Sequence, residues 1–146
     1  MRSVLIIDDE EDIREVAALS LELFAQWRVS KAQNAREGIA KAIMEQPDAI
    51  ILDMKMPGTD GRATLSMLKA NLLTAHIPVL LLTAQALTSE RKQLEALPVA
   101  GVLTKPFDPE KLAAEISNYV GWNSQAPPAI PVQPCRPISR YVALAI

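Results

Sequence analysis

Cysteine is nearly missing from this 146-residue chain, and Cys135 stands alone. No intrachain disulfide can form, so a reducing interior suits the sequence. Histidine occurs once, as His76, and no Ser-His-Asp or Cys-His grouping is present to run a hydrolase. Glycines are few as well. Gly58, Gly61 and Gly101 fall into neither GxxxxGK nor GxGxxG, which disfavours direct use of ATP. No apolar stretch approaches the roughly 20 residues of a membrane span. The opening Met1-Arg2-Ser3 leads into an apolar run shorter than the roughly 7–15 residues of a signal-peptide core. Excess charge of one sign is missing too. With 15 basic and 17 acidic residues the net charge is −2, which supports neither a nucleic-acid nor a membrane-surface binder. The expectation is a small, slightly acidic, cytoplasmic domain.

What is present is apolar material in short pieces, together 49% of the chain. Unbroken runs cover residues 4–7, 49–52, 79–82 and 101–103, with a weaker candidate at 28–32. Runs without alternation are expected of strands buried on both faces of a parallel sheet. Between them lie segments with helical spacing. Ile13, Val16, Ala17, Leu23, Phe24 and Trp27 mark a first helix, and Ala35, Ile39, Ala42 and Ile43 a second, ended by Pro47. Leu65, Leu68 and Leu72 mark a third; Leu87, Leu94 and Leu97 mark a fourth that stops at Pro98. Leu112, Ala113, Ile116, Tyr119 and Val120 mark a fifth, with Gly121 placed as its C-terminal cap. Strict alternation of strand and helix predicts an α/β fold, a doubly wound five-stranded parallel sheet with helices on both faces.

Residues 1–122 carry that pattern and a net charge of −4, while residues 123–146 carry two arginines and no acid. Five of the eleven prolines lie at positions 127, 128, 131, 134 and 137. The expected organisation is therefore a folded domain over 1–122 and a Pro-rich tail over 123–146. The tail reads as an extended, flexible segment. The sharper alternative is that residues 138–146, apolar with Tyr141, dock on the fourth and fifth helices or on a second subunit, which would make a homodimer.

Ligands of such sheets bind beyond the carboxyl ends of the strands. Those ends carry Asp8 and Asp9, Asp53, Thr83, and Thr104 with Lys105. Carboxylates meeting there would repel and raise one another's pKa unless a cation intervenes. Magnesium fits, being a hard ion that takes few protein oxygens and keeps waters and phosphate oxygens. Manganese is the substitute, whereas so sparse a site would undercoordinate calcium. Lys105 adds a fixed positive charge and Thr83 a hydroxyl, so the set suits a phosphoryl group. Asp53, isolated before Met54-Lys55-Met56-Pro57-Gly58, is the candidate nucleophile, able to form an acyl phosphate. Asp8 and Asp9 read as metal holders. Glu10, Glu11 and Asp12 read as solvated acids at a helix N-terminus. His76 and Cys135 read as incidental, and Trp27 and Trp122 as packing residues.

Asp8-Asp9, Asp53 with Met56-Pro57-Gly58-Thr59-Asp60-Gly61, Thr83-Ala84 and Lys105-Pro106-Phe107 together resemble the receiver domain of two-component response regulators. The resemblance covers residues 1 to about 122. It implies the flavodoxin-like strand order 2-1-3-4-5 and a cis Lys105–Pro106 peptide. Asp53 would accept a phosphoryl group from a sensor histidine kinase or a histidine phosphotransfer protein. Asp9, Asp53 and the backbone carbonyl of Lys55 would bind magnesium directly, and Asp8 through water. Thr83 and Lys105 would each hold a phosphoryl oxygen, and output would pass to a downstream protein partner. The chain would be a self-modifying switch rather than an enzyme acting on outside substrates.

Two departures from that family stand out. The aromatic residue usually found three positions before the lysine is here Val102, which is small and stiff at χ1. Val102 supports a rival reading, a receiver-fold adaptor indifferent to phosphorylation. Lys55 and Gln85 occupy the positions that tune phosphoryl lifetime in the family. An aspartyl-phosphate phosphatase would need a second general acid and a substrate cap, and neither is in the sequence.

Overall fold

A computed structural model describes residues 2–56, 58–84 and 88–122, with positions 59 and 88 described by backbone alone. Expectations resting on Pro57, Gln85, Leu87, Cys135, Tyr141 and the 123–146 segment lie outside the described residues.

The apolar runs form strands where their composition places them. These are β1 (Ser3–Ile7), β2 (Arg28–Ala32), β3 (Ala49–Asp53), β6 (Val79–Thr83) and β7 (Gly101–Thr104). A short antiparallel pair, β4 (Lys55–Met56) and β5 (Thr59–Asp60), sits between β3 and the third helix. Its turn residue Gly58 has φ +75, a left-handed conformation that favours glycine. The large sheet is parallel in all its pairs, ordered β2-β1-β3-β6-β7. Counted among its own five strands, that is the predicted 2-1-3-4-5.

Continuous apolar runs are needed because both faces are covered. Alternate residues divide between two cores. Leu5, Ile7, Ile50, Leu52 and Leu81 point to the side of α2 (Ala35–Glu45), α3 (Gly61–Ala70) and α4 (Thr88–Glu95). Val4, Ile6, Ile51, Leu80 and Leu82 point to α1 (Glu11–Phe24) and α5 (Leu112–Val120). Each fully buried Leu or Ile contributes roughly 1.5–3 kcal/mol relative to exposure, which makes the central strands the main source of stability. Trp27 meets Trp122 edge-on with centroids 5.2 Å apart, and the Arg2 guanidinium lies over Trp122. Both tryptophans pack, as expected.

Helix faces differ from the reading in two places. In α1 the buried residues are Ala17, Ala18, Ser20 and Leu21, while Val16, Leu23 and Phe24 are exposed. Trp27 lies past the helix end, just before β2. Ala17, Ile13 and Trp27 do belong to the core on this side, but Leu21, with Ala18 and Ser20, completes the buried face in place of Val16, Leu23 and Phe24. Leu72, assigned to the third helix, lies beyond its end at Ala70 and is 93% exposed. The remaining punctuation agrees. Asn34 caps α2 by accepting from Glu37 N–H at 2.8 Å, and Gly121 takes the left-handed cap of α5 at φ +81.

Candidate phosphoacceptor and metal site

The strand order reverses between β1 and β3, and their carboxyl ends bring distant aspartates together. Asp8 follows β1 and is fixed by its own N–H donating to Ala32 O at 3.0 Å. Asp53 closes β3 beside Leu82 of β6, and Lys105 N–H donates to Thr83 O at 2.7 Å. The Lys105–Pro106 peptide is cis. Gly61 is required nearby, since a Cβ there would lie 2.7 Å from Met54 Cα. That close approach holds the β4–β5 hairpin against the start of α3.

The Lys105 ammonium is the hub. Nζ lies 3.2 Å from Asp8 Oδ2, 3.3 Å from Asp53 Oδ1 and 3.0 Å from Glu10 Oε1. Carboxylate oxygens of Asp8, Glu10 and Asp53 come within 4.8 Å of one another. Lys55 N–H donates to Asp53 Oδ1 at 3.3 Å, and Glu10 N–H donates to Asp8 Oδ1 at 2.9 Å. Asp53, Asp8 and Thr83 are buried, and Thr83 pairs in register with Thr104.

Burial is the largest influence on Asp53, and the Asp8 charge adds to it. Together they push the Asp53 carboxyl up to about 6, against the opposing Lys55 N–H and Lys105. Burial alone would lower the Lys105 pKa. The hydrogen bond to Glu10 and the charges of Asp53 and Asp8 outweigh it and hold the ammonium above its usual range.

Glu10 is exposed at the N-terminus of α1, as expected of a solvated acid, and the structure adds that its carboxylate joins the cluster on Lys105. Asp9 is exposed and is not among the three converging carboxylates. Asp8, Asp9 and Glu10 lie in the turn between β1 and α1, and the Glu10 N–H bond to Asp8 Oδ1 closes it. The capacity of Asp8 to close such a turn was the available signal.

A divalent cation fits this donor set. Asp53 Oδ2 is buried and accepts no hydrogen bond, Asp8 Oδ2 is buried with only its ion pair to Lys105, and one ammonium faces three carboxylates. Buried acceptors left in that condition cost free energy that a hard cation would recover.

A doubly wound parallel sheet with carboxylates and a lysine at its switch point is the layout of a phosphate- and metal-binding α/β domain. Comparison with known proteins makes the assignment narrower. The response regulator receiver domain model matches residues 4–117, and the chain belongs to that family. It is 37% identical over 117 residues to the phosphate regulon transcriptional regulatory protein PhoB of Pseudomonas aeruginosa, covering 79% of this chain and 50% of that protein. The response regulator PleD of Caulobacter vibrioides is 37% identical over 114 residues, covering 77% of this chain and 25% of that protein. The chain thus spans half or less of these two curated relatives. Among solved structures, the chemotaxis response regulator CheY4 of Vibrio cholerae superposes with a TM-score of 0.75 at 30% identity, covering 82% of this chain and 98% of that one.

Proposed function

We propose that this chain is a phosphoacceptor switch in which Asp53 takes a phosphoryl group from a phosphohistidine of a sensor histidine kinase or phosphotransfer protein. The convergence of Asp8, Asp53 and Lys105 within 3.3 Å contacts, with Asp53 Oδ2 buried and accepting no hydrogen bond, carries this reading. Asp53 Oδ1 is occupied by Lys55 N–H and Lys105, which leaves Oδ2 to attack phosphorus. The Oδ2–P bond forms as the P–N bond breaks, and the imidazole leaves. Lys105 then balances charge on one phosphoryl oxygen and the Thr83 hydroxyl donates to another. Mg2+ or Mn2+, when bound, supplies charge neutralisation between the aspartates and the phosphoryl oxygens. Asp53, Asp9 and the Lys55 carbonyl would hold it directly and Asp8 through water. Asp9 has to turn inward from the rim to take part.

The reading extends to a cytoplasmic protein that signals through protein contacts, without nucleic acid or membrane. Residues 1–122 act as the receiver, and a homodimer is one form its protein contacts could take. The test is incubation with acetyl phosphate and magnesium. Native protein gains a base-labile phosphate only with the divalent cation, and Asp53→Asn gains none; labelling of Asp53→Asn to the native level would refute the assignment.

Val102 favours a second reading, the phosphorylation-indifferent adaptor. It is fully buried in the α2–α4 core, where the family carries a mobile aromatic. Phosphorylation without any change in partner affinity would select it.

A further inference from the structure

Glu10 stands at the N-cap of α1, where a side chain ordinarily accepts from the helix's free N–H groups. It makes no such bond. Its carboxylate reaches across to Lys105 instead, and at 3.0 Å this is the shortest of the three ion pairs on that ammonium. The three partners differ in surroundings. The side chains of Asp8 and Asp53 are 0% and 4% exposed, whereas that of Glu10 is 59% exposed.

Of the three ion pairs, the one to Glu10 is also a hydrogen bond, donated by Lys105 Nζ to Glu10 Oε1. A phosphoryl oxygen arriving at Lys105 competes with these three carboxylates for the ammonium, and one of them has to give way for close contact. Asp8 and Asp53 are held by the sheet ends and cannot retreat into water. Glu10 can, because a rotation of its flexible side chain exchanges the ammonium for solvent.

We propose that Glu10 is a displaceable counter-ion, a positioning residue that holds Lys105 across the buried aspartates and yields its place to the phosphoryl group. The ligand in this proposal rests on the phosphoacceptor reading; the contact itself does not. Glu10 thereby sets how readily the site accepts an anion, since each arriving phosphoryl group has to outcompete a tethered carboxylate.

Glu10→Gln removes the charge. Glu10→Asp keeps it but, one methylene shorter, withdraws it from Lys105, which separates the contact from the general field. Two measurements on the full chain follow. In metal-free protein, the 15N ammonium resonance of Lys105, identified by its loss in Lys105→Arg, should shift and exchange faster in both variants. With saturating magnesium, beryllofluoride should bind both variants roughly two- to fivefold more tightly than native, the range set by an exposed ion pair.

An unchanged ammonium resonance in both variants overturns the proposal. So does tighter binding by Glu10→Gln alone, which would reduce Glu10 to a contributor of field. If native protein fails to bind beryllofluoride at all, the phosphoacceptor reading falls, while the ammonium resonance still decides whether Glu10 holds Lys105.

Discussion

The carboxyl ends of β1 and β3 and the neighbouring ends of β6 and β7 are built on opposite principles. At the first pair, buried carboxylates crowd one ammonium, and Asp53 Oδ2 accepts no hydrogen bond. At the second, every contact of the bridging residue is matched. Arg91 of α4 donates to Val102 O at 2.8 Å, Thr104 Oγ1 at 3.1 Å and Tyr119 of α5 at 3.0 Å, and pairs with Glu95 at 3.3 Å. Tyr119 lies so close to Gly101 that any side chain there would strike its ring. The carboxylate half is held short of satisfaction, whereas the half beside it is tied together across α4, β7 and α5. In the proposed switch, charge arriving at one half would act on the other through elements that move as a unit. With Val102 in place of an aromatic, Arg91 is the residue that physically joins the three.

Removing Lys105 is the largest expected disturbance. Lys105→Met leaves Asp8 and Asp53 buried without their cation and should cost about 3 kcal/mol at pH 7 in metal-free buffer. Denaturant unfolding should show the loss shrinking towards pH 5, as the Asp53 carboxyl takes up a proton. A penalty that did not vary with pH would erase the contrast between the halves.

The Asp53 pKa gives the next effect. The folded-state value, raised to about 6 from 3.8, means the native state binds more protons than the unfolded one between those pH values. This group's contribution to stability therefore falls as pH rises from about 4 through about 6. Thermal melts in a chelator should show that slope for native protein and its loss in Asp53→Asn. Magnesium should flatten the slope in native protein by favouring the charged form.

Arg91→Ala should cost about 1–2 kcal/mol, because Val102 O loses its donor and α4 loses its tie to β7. Chemical denaturation should find this cost constant from pH 5 to 7, unlike that of Lys105→Met. Tyr119→Phe, which loses one partly exposed hydrogen bond and keeps the ring on Gly101, should cost about 0.5 kcal/mol or less. If it costs as much as Arg91→Ala, the bridge is centred on the tyrosine instead.

Much of this molecule was legible before any coordinates. Unbroken runs such as residues 49–52 are expected of strands covered on both faces, and the helices between them favour parallel pairing. The residues following those runs therefore fell on one sheet edge, and Asp8, Asp53 and Lys105 do meet there. The face of α1 was not legible, because Ala17, Ala18 and Ser20 bury little area each and carry a weak hydrophobic signal. Nor was the β4–β5 pair, whose two-residue strands are too short for any period to register.

Strand composition and order of elements thus decided the fold and brought Asp8, Asp53 and Lys105 to one sheet edge, since burial of apolar runs dominates folding free energy. Which acid touches Lys105, and which residue bridges α4 to α5, were decided by side-chain directions a few ångströms apart. Glu10 over Asp9 and Arg91 under Tyr119 depend on turn geometry and long flexible side chains, whose contacts exist only once the distant chain segments have been packed together.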